Sequence, residues 1–117
     1  MRTIIALCFA AAATPALAQS QPQTIAPIDA VARIGQTVTV EGKVSDVHTG
    51  RSGATFIDID GAYPDNAFTA VIFVGDLAKF PGVKALGGKT VAINGPVQLY
   101  QGRAEIIVKS AEQLKAK

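Results

Sequence analysis

The stretch VTVEGKVSDVHTGRSGATFIDID, residues 38–60, decides the fold of this chain. Apolar residues alternate with polar ones at its start, which predicts a half-buried strand over 37–47, with Gly42 marking a bend or bulge. Two glycines in 48–54 predict a loop, and 55–60 alternates again as a second strand. A long bent strand followed by a short alternating one is typical of a small β-barrel that turns a corner.

The rest of the chain predicts three more strands and one short helix. Residues 68–74 are almost continuously apolar, as in a central strand, and apolar spacing near three over 76–86 predicts a short helix. Residues 90–95 alternate, 96–103 predict a hairpin, and 104–108 predict the final strand. This order predicts an all-β, five-stranded Greek-key OB-fold barrel with a short helix between strands 3 and 4.

The first residues predict an exported protein. A basic start and a short apolar run precede a small-x-small sequence at 16–18, a pattern that signal peptidase cleaves. We therefore predict a signal peptide at 1–18 cut near Ala18, a flexible leader at 19–27 and an OB-fold domain at 28–117. The expected location is periplasmic or secreted, with no membrane span in the mature protein.

Composition leaves the class of partner open. Cleavage would remove Cys8, the only cysteine, so the mature chain could form no internal disulfide. It would also remove Arg2, one of eleven basic residues, so the net charge would fall from +2 to +1. A nearly balanced charge does not supply the strong positive field of a tight nucleic-acid binder.

Three segments resemble the OB-fold nucleic-acid-binding superfamily: residues 38–60, FTAVIF at 68–73 and LGGKTVAINGPVQLYQGRAEIIV at 86–108. They are similar to anticodon-binding-type OB domains and to the OB modules attached to some secreted nucleases. The resemblance implies a surface for single-stranded nucleic acid on which Phe56 stacks a base. The pair at 59–60 departs from the leucine-arginine pair common in synthetases, which weakens an interpretation as a tRNA binder.

The expected ligand-binding residues lie on the strands and loops that flank an OB groove: Lys43, Arg51, Phe56, Tyr100 and Arg103. Cations there would neutralise phosphates and aromatic rings would stack on bases, so affinity should fall steeply with salt. The alternative is that these are ordinary surface charges and that Phe56 packs beneath a loop. The protein would then be a periplasmic module that binds a protein, a peptide or an envelope glycan.

Metal binding and catalysis have little support in the sequence. Asp46, His48, Asp58 and Asp60 are close together in the chain but lack the closing Glu of a calcium loop. We predict turn-forming aspartates and a surface histidine there, with no metal and no other cofactor. A single histidine and the lack of a strained nucleophile turn predict no catalytic residues and no enzyme activity.

Overall fold

A single open β-sheet of eight strands is the framework of residues 23–117, the part of the chain that this computed structural model describes. The strands are β1 (Gln23–Ile25), β2 (Thr37–Thr49), β3 (Thr55–Ile59), β4 (Phe68–Ile72), β5 (Thr90–Pro96), β6 (Gln98–Tyr100), β7 (Arg103–Ile107) and β8 (Leu114–Ala116). Their order is β6-β7-β4-β3-β2-β5-β8, and β1 pairs with β2 outside this path. The β1–β2 and β4–β7 pairs are parallel and the others antiparallel.

Short 3-10 helices connect the strands. They span Pro27–Arg33, Val74–Lys79, Val83–Leu86 and Ala111–Gln113. The short helix expected between the third and fourth predicted strands is present as the second and third of these, which bury Phe80 and Val83 against the core. No helix within residues 23–117 is long and apolar enough to cross a membrane.

The all-β, OB-like class is confirmed, whereas a closed five-stranded barrel is not. The five predicted strands correspond to β2, β3, β4, β5 and β7, and β1, β6 and β8 extend the sheet, which stays open. The added strands have three residues each, too few for an alternating pattern to reveal β1 and β8, whereas β6 is the first arm of the hairpin predicted at 96–103. Each is held by its neighbours: β6 folds back on β7 through Gln101 and Gly102, both at positive φ.

The fold begins earlier than expected. Gln23–Ile25 pairs in parallel with Val38–Val40, and Pro27 is buried at the start of the first 3-10 helix. Residues 23–27 of the predicted leader therefore belong to the fold. The predicted signal peptide at 1–18 and the rest of that leader lie outside the described residues.

The long strand β2 joins the two parts of the sheet. Its first half, Thr37–Lys43, pairs with β5, and its second half pairs with β3 from Val44 onward, with a register shift between Val44 and Asp46. A Cβ added to Gly42 would lie 2.5 Å from Cγ of Pro27 and 2.6 Å from Cγ2 of Ile59. Gly42 therefore lets β2 pass close beneath the first helix and β3.

Substituting Gly42 by Ala is expected to destabilise the fold by about 1–3 kcal/mol, because the added methyl group overpacks a filled part of the core. Urea unfolding of both proteins measures the change. Gly75→Ala is the matched control, since a Cβ there meets nothing within 4 Å. Equal midpoints for G42A and the wild type would show that Pro27 and Ile59 can move aside at no cost.

Candidate binding groove

Strand register places one row of apolar and aromatic side chains across four strands. His48 on β2 lies opposite Phe56 on β3, Phe56 lies opposite Val71 on β4, and Val71 pairs with Ile107 on β7. The rings of His48 and Phe56 stack with their centroids 5.4 Å apart and 21° between their planes. The face of the sheet that does not point into the core thus carries an apolar strip.

A row of polar side chains runs beside that strip on the same face. It consists of Asp46, Asp58, Thr69, Glu105 and Gln98, each paired with the next across neighbouring strands. Three of these five residues are acidic. The same face therefore combines an apolar strip with a line of hydrogen-bond acceptors.

Two adjoining cavities open on this face, one of about 300 Å³ and one of about 240 Å³. Both are lined by Phe56, Val71, Tyr100 and Glu105, so they form one continuous depression. We call it the aromatic groove. Tyr63, from the loop between β3 and β4, adds a further ring to the larger cavity.

Arg103 is held in the groove by two contacts from the loop between β3 and β4. Its Nη1 donates a hydrogen bond of 2.7 Å to Oδ1 of Asn66, and its Cζ lies 4.6 Å from the centroid of the Tyr63 ring. The buried Asn66 in turn donates from Nδ2 to the carbonyl of Phe68 at 2.9 Å and to Oγ1 of Thr69 at 2.6 Å. The guanidinium is therefore fixed in place before any ligand arrives.

The acidic residues of the groove resist ionisation. Burial raises the pKa of Asp58, which is only 1% exposed, although the nearby His48 opposes this shift. Burial also raises the pKa of Glu105. The floor of the groove therefore carries two carboxyl groups whose charge is costly and which favour a proton, a hydrogen-bond donor or a cation nearby.

Three of the five predicted binding residues come together. Phe56, Tyr100 and Arg103 all line the larger cavity. Lys43 and Arg51 line neither cavity: Lys43 pairs with Thr90 on the far side of the register shift, and Arg51 is exposed at a loop tip. Their predicted contribution to the groove is not supported by this geometry.

Three further residues of the site, His48, Tyr63 and Asn66, lie outside the five predicted binding residues. β2 runs to Thr49, so His48 lies on a strand rather than in a loop and meets Asp46 and Asp58. Tyr63 and Asn66 lie in a segment whose composition indicates only a turn. For Asp58, the alternation over residues 55–60 already predicts the face that it shares with Phe56.

Comparison with protein-family models and with curated proteins gives no match. Solved structures do resemble the chain. The asparaginyl-tRNA synthetase of Entamoeba histolytica in complex with asparaginyl-adenylate is 21% identical with a TM-score of 0.57, over 81% of this chain and 23% of that one. The aspartyl-tRNA synthetase of the same organism is 17% identical with a TM-score of 0.55, over 89% and 23%.

The fold is OB-like. This chain spans less than a quarter of the synthetases that it matches. At these identities the likeness establishes architecture alone.

Replacing Glu105 by Gln is expected to raise the melting temperature at neutral pH and to leave it unchanged in acid. Because the pKa of Glu105 is raised by burial in the fold, the stability linked to this group is present in acid and is lost as pH rises through the folded-state pKa. Gln carries no charge at any pH. Thermal unfolding from about pH 4 to about pH 8 spans the relevant range.

Glu112→Gln, at an exposed position, is the control for the loss of a carboxylate. The raised pKa of Asp58 makes the melting temperature of every variant depend on pH in the same way. The difference in melting temperature between E105Q and the wild type therefore reports on Glu105. A melting-temperature difference between E105Q and the wild type that stays constant with pH would contradict the assignment.

Proposed function

We propose that the aromatic groove binds single-stranded nucleic acid, in a binding rather than a catalytic role, by stacking bases on Phe56, Tyr63 and Tyr100. The observation that carries this proposal is the set of rings gathered on one face of an OB-like sheet beside a fixed arginine. Tyr63 and Tyr100 are 63% and 59% exposed, so a ligand can reach both side chains, with Arg103 covering one face of the Tyr63 ring. Stacking of a base on such a ring contributes about 1–3 kcal/mol.

The polar row beside the rings supports contacts to base edges. Carboxyl and hydroxyl oxygens of Asp58, Thr69 and Glu105 can accept hydrogen bonds from the amino groups of bases. Arg103, anchored by Asn66, can donate to a phosphate or to a base carbonyl. The larger cavity, about 300 Å³, is at the lower end of the range for ligand pockets and has room for a nucleobase.

The groove predicts that binding affinity depends less on salt concentration than the sequence alone predicts. Among the residues that line the two cavities, Arg103 is the only lysine or arginine. One phosphate contact on a single strand corresponds to a slope of about −0.7 in log affinity against log salt. Stacking therefore contributes more to the expected affinity than phosphate neutralisation does.

Fluorescence anisotropy with labelled single-stranded DNA and RNA tests this function. Tyr100→Ala is expected to weaken binding roughly 5- to 150-fold, which corresponds to the loss of about 1–3 kcal/mol from one stacked base. Leu99→Ala is the matched control, because Leu99 is on the same strand, is 57% exposed and lines neither cavity. Equal affinities for Y100A and L99A would reject the groove as the binding surface.

A second candidate function is the binding of a peptide, protein or envelope glycan. The observation that favours it is the acidic row, because Asp58 and Glu105 repel a polyanion when they are ionised. Phe73, which is 47% exposed, adds an apolar side chain to the smaller cavity. Flat anisotropy curves with both nucleic acids at low salt would favour this candidate.

We also propose that the protein is exported, on the strength of the basic-apolar start and the small-x-small sequence at 16–18. Expression of the full chain in a Gram-negative host is expected to yield a periplasmic or secreted product that begins at Gln19. N-terminal sequencing of that product measures the cut. A cytoplasmic product that retains Met1 would contradict export.

A further inference from the structure

We propose that Asp46, His48 and Asp58 form a binding site for a divalent transition-metal ion of the Zn²⁺ class. Nδ1 of His48 lies 2.9 Å from Oδ2 of Asp46 and 3.5 Å from Oδ2 of Asp58. One ligand atom from each residue lies within 4.8 Å of the other two. Around Zn²⁺, with bonds of roughly 2.0–2.2 Å, tetrahedral ligands are separated by about 3.3–3.6 Å, so small rotations of these side chains complete the arrangement.

Strand register explains why the three side chains meet. Asp46 and His48 are two residues apart on β2 and share a face, and Asp58 on β3 is directly opposite Asp46. Two carboxylates opposite each other on neighbouring strands repel, and this arrangement is unfavourable unless a cation lies between them. His48 is kept in place by its stacking on Phe56.

The hydrogen bonds that the Asp58 carboxyl accepts are long. This carboxyl is almost fully buried, yet its donors, the backbone N–H of Tyr63 and Oγ1 of Thr69, are both 3.4 Å away. Good hydrogen bonds to oxygen are shorter, about 2.5–3.2 Å, so these two donors stabilise a charged Asp58 only weakly. A metal ion beside its Oδ2 would satisfy that charge.

The donor set selects the class of ion. An imidazole nitrogen with two carboxylate oxygens suits Zn²⁺ and its transition-metal neighbours, whereas Mg²⁺ and Ca²⁺ prefer oxygen alone. Three protein ligands leave one position for water or a ligand, as in open zinc sites. Asp46 is 51% exposed and His48 41% exposed, so an ion can reach the cluster from solvent. Metal binding here does not require a nucleic-acid ligand.

Isothermal titration calorimetry of ZnCl₂ into the purified protein, after treatment with EDTA and its removal, tests this site. The wild type is expected to bind one ion per chain. Asp46→Asn and His48→Gln should each weaken binding at least about tenfold, the minimum seen even for indirect metal partners. Asp65→Asn, an exposed carboxylate in the loop between β3 and β4, should leave binding unchanged.

Thermal unfolding gives a second readout. Zn²⁺ should raise the melting temperature of the wild type by mass action and should not raise that of H48Q. The alternative, a hydrogen bond between His48 and Asp46 with no ion bound, predicts no heat of binding and no zinc-dependent stabilisation. That result, or full binding retained by both D46N and H48Q, would overturn the proposal.

Discussion

The missing side chain at Gly42 is the constraint on which the rest of the sheet depends. β2 is thirteen residues long, and its first half pairs with β1 and β5 while its second half pairs with β3. This is possible because Gly42 has no Cβ, since Pro27 and Ile59 pack against β2 too closely to leave room for one. Because the second half of β2 carries Asp46 and His48 to the outer face, the site depends on this contact as much as the core does.

The sequence reveals the larger strands because each buries one face or both. In β3, Thr55, Ile57 and Ile59 are fully buried, as their alternation predicts, and β4 is a nearly continuous apolar run. The three-residue strands have no such signal. β8 follows a capping box formed by Ser110 and Gln113, and only its pairing with β5 makes it a strand.

The site is predictable where strand alternation controls it and unpredictable where loops do. Phe56 and Arg103 could be found because they lie on or next to predicted strands of recognisable period, and Tyr100 because residues 96–103 predict a hairpin. Tyr63 and Asn66 could not, because their positions depend on how the loop between β3 and β4 folds over the sheet. The composition of this loop indicates only a turn, because turn residues are favoured for the backbone conformations that they can adopt.

The Asp46–His48–Asp58 cluster has a further obstacle to prediction. Its geometry requires the register of β2 against β3, and that register shifts between Val44 and Asp46. A one-residue error in pairing turns a side chain to the opposite face. The sequence spacing of the three residues therefore suggests turn aspartates, whereas the paired strands bring them together.

The open sheet also bears on self-association. Its path ends in β6 on one side and β8 on the other, each only three residues long, so the unpaired backbone that either offers to another molecule is short. Lys115 places a positive charge on β8, where a second copy would bring the same charge close, and Lys117 beyond it is paired with Glu41 at 2.9 Å. Short edge strands of this kind discourage strand-by-strand aggregation, so an open sheet does not need to close into a barrel to limit edge-to-edge pairing.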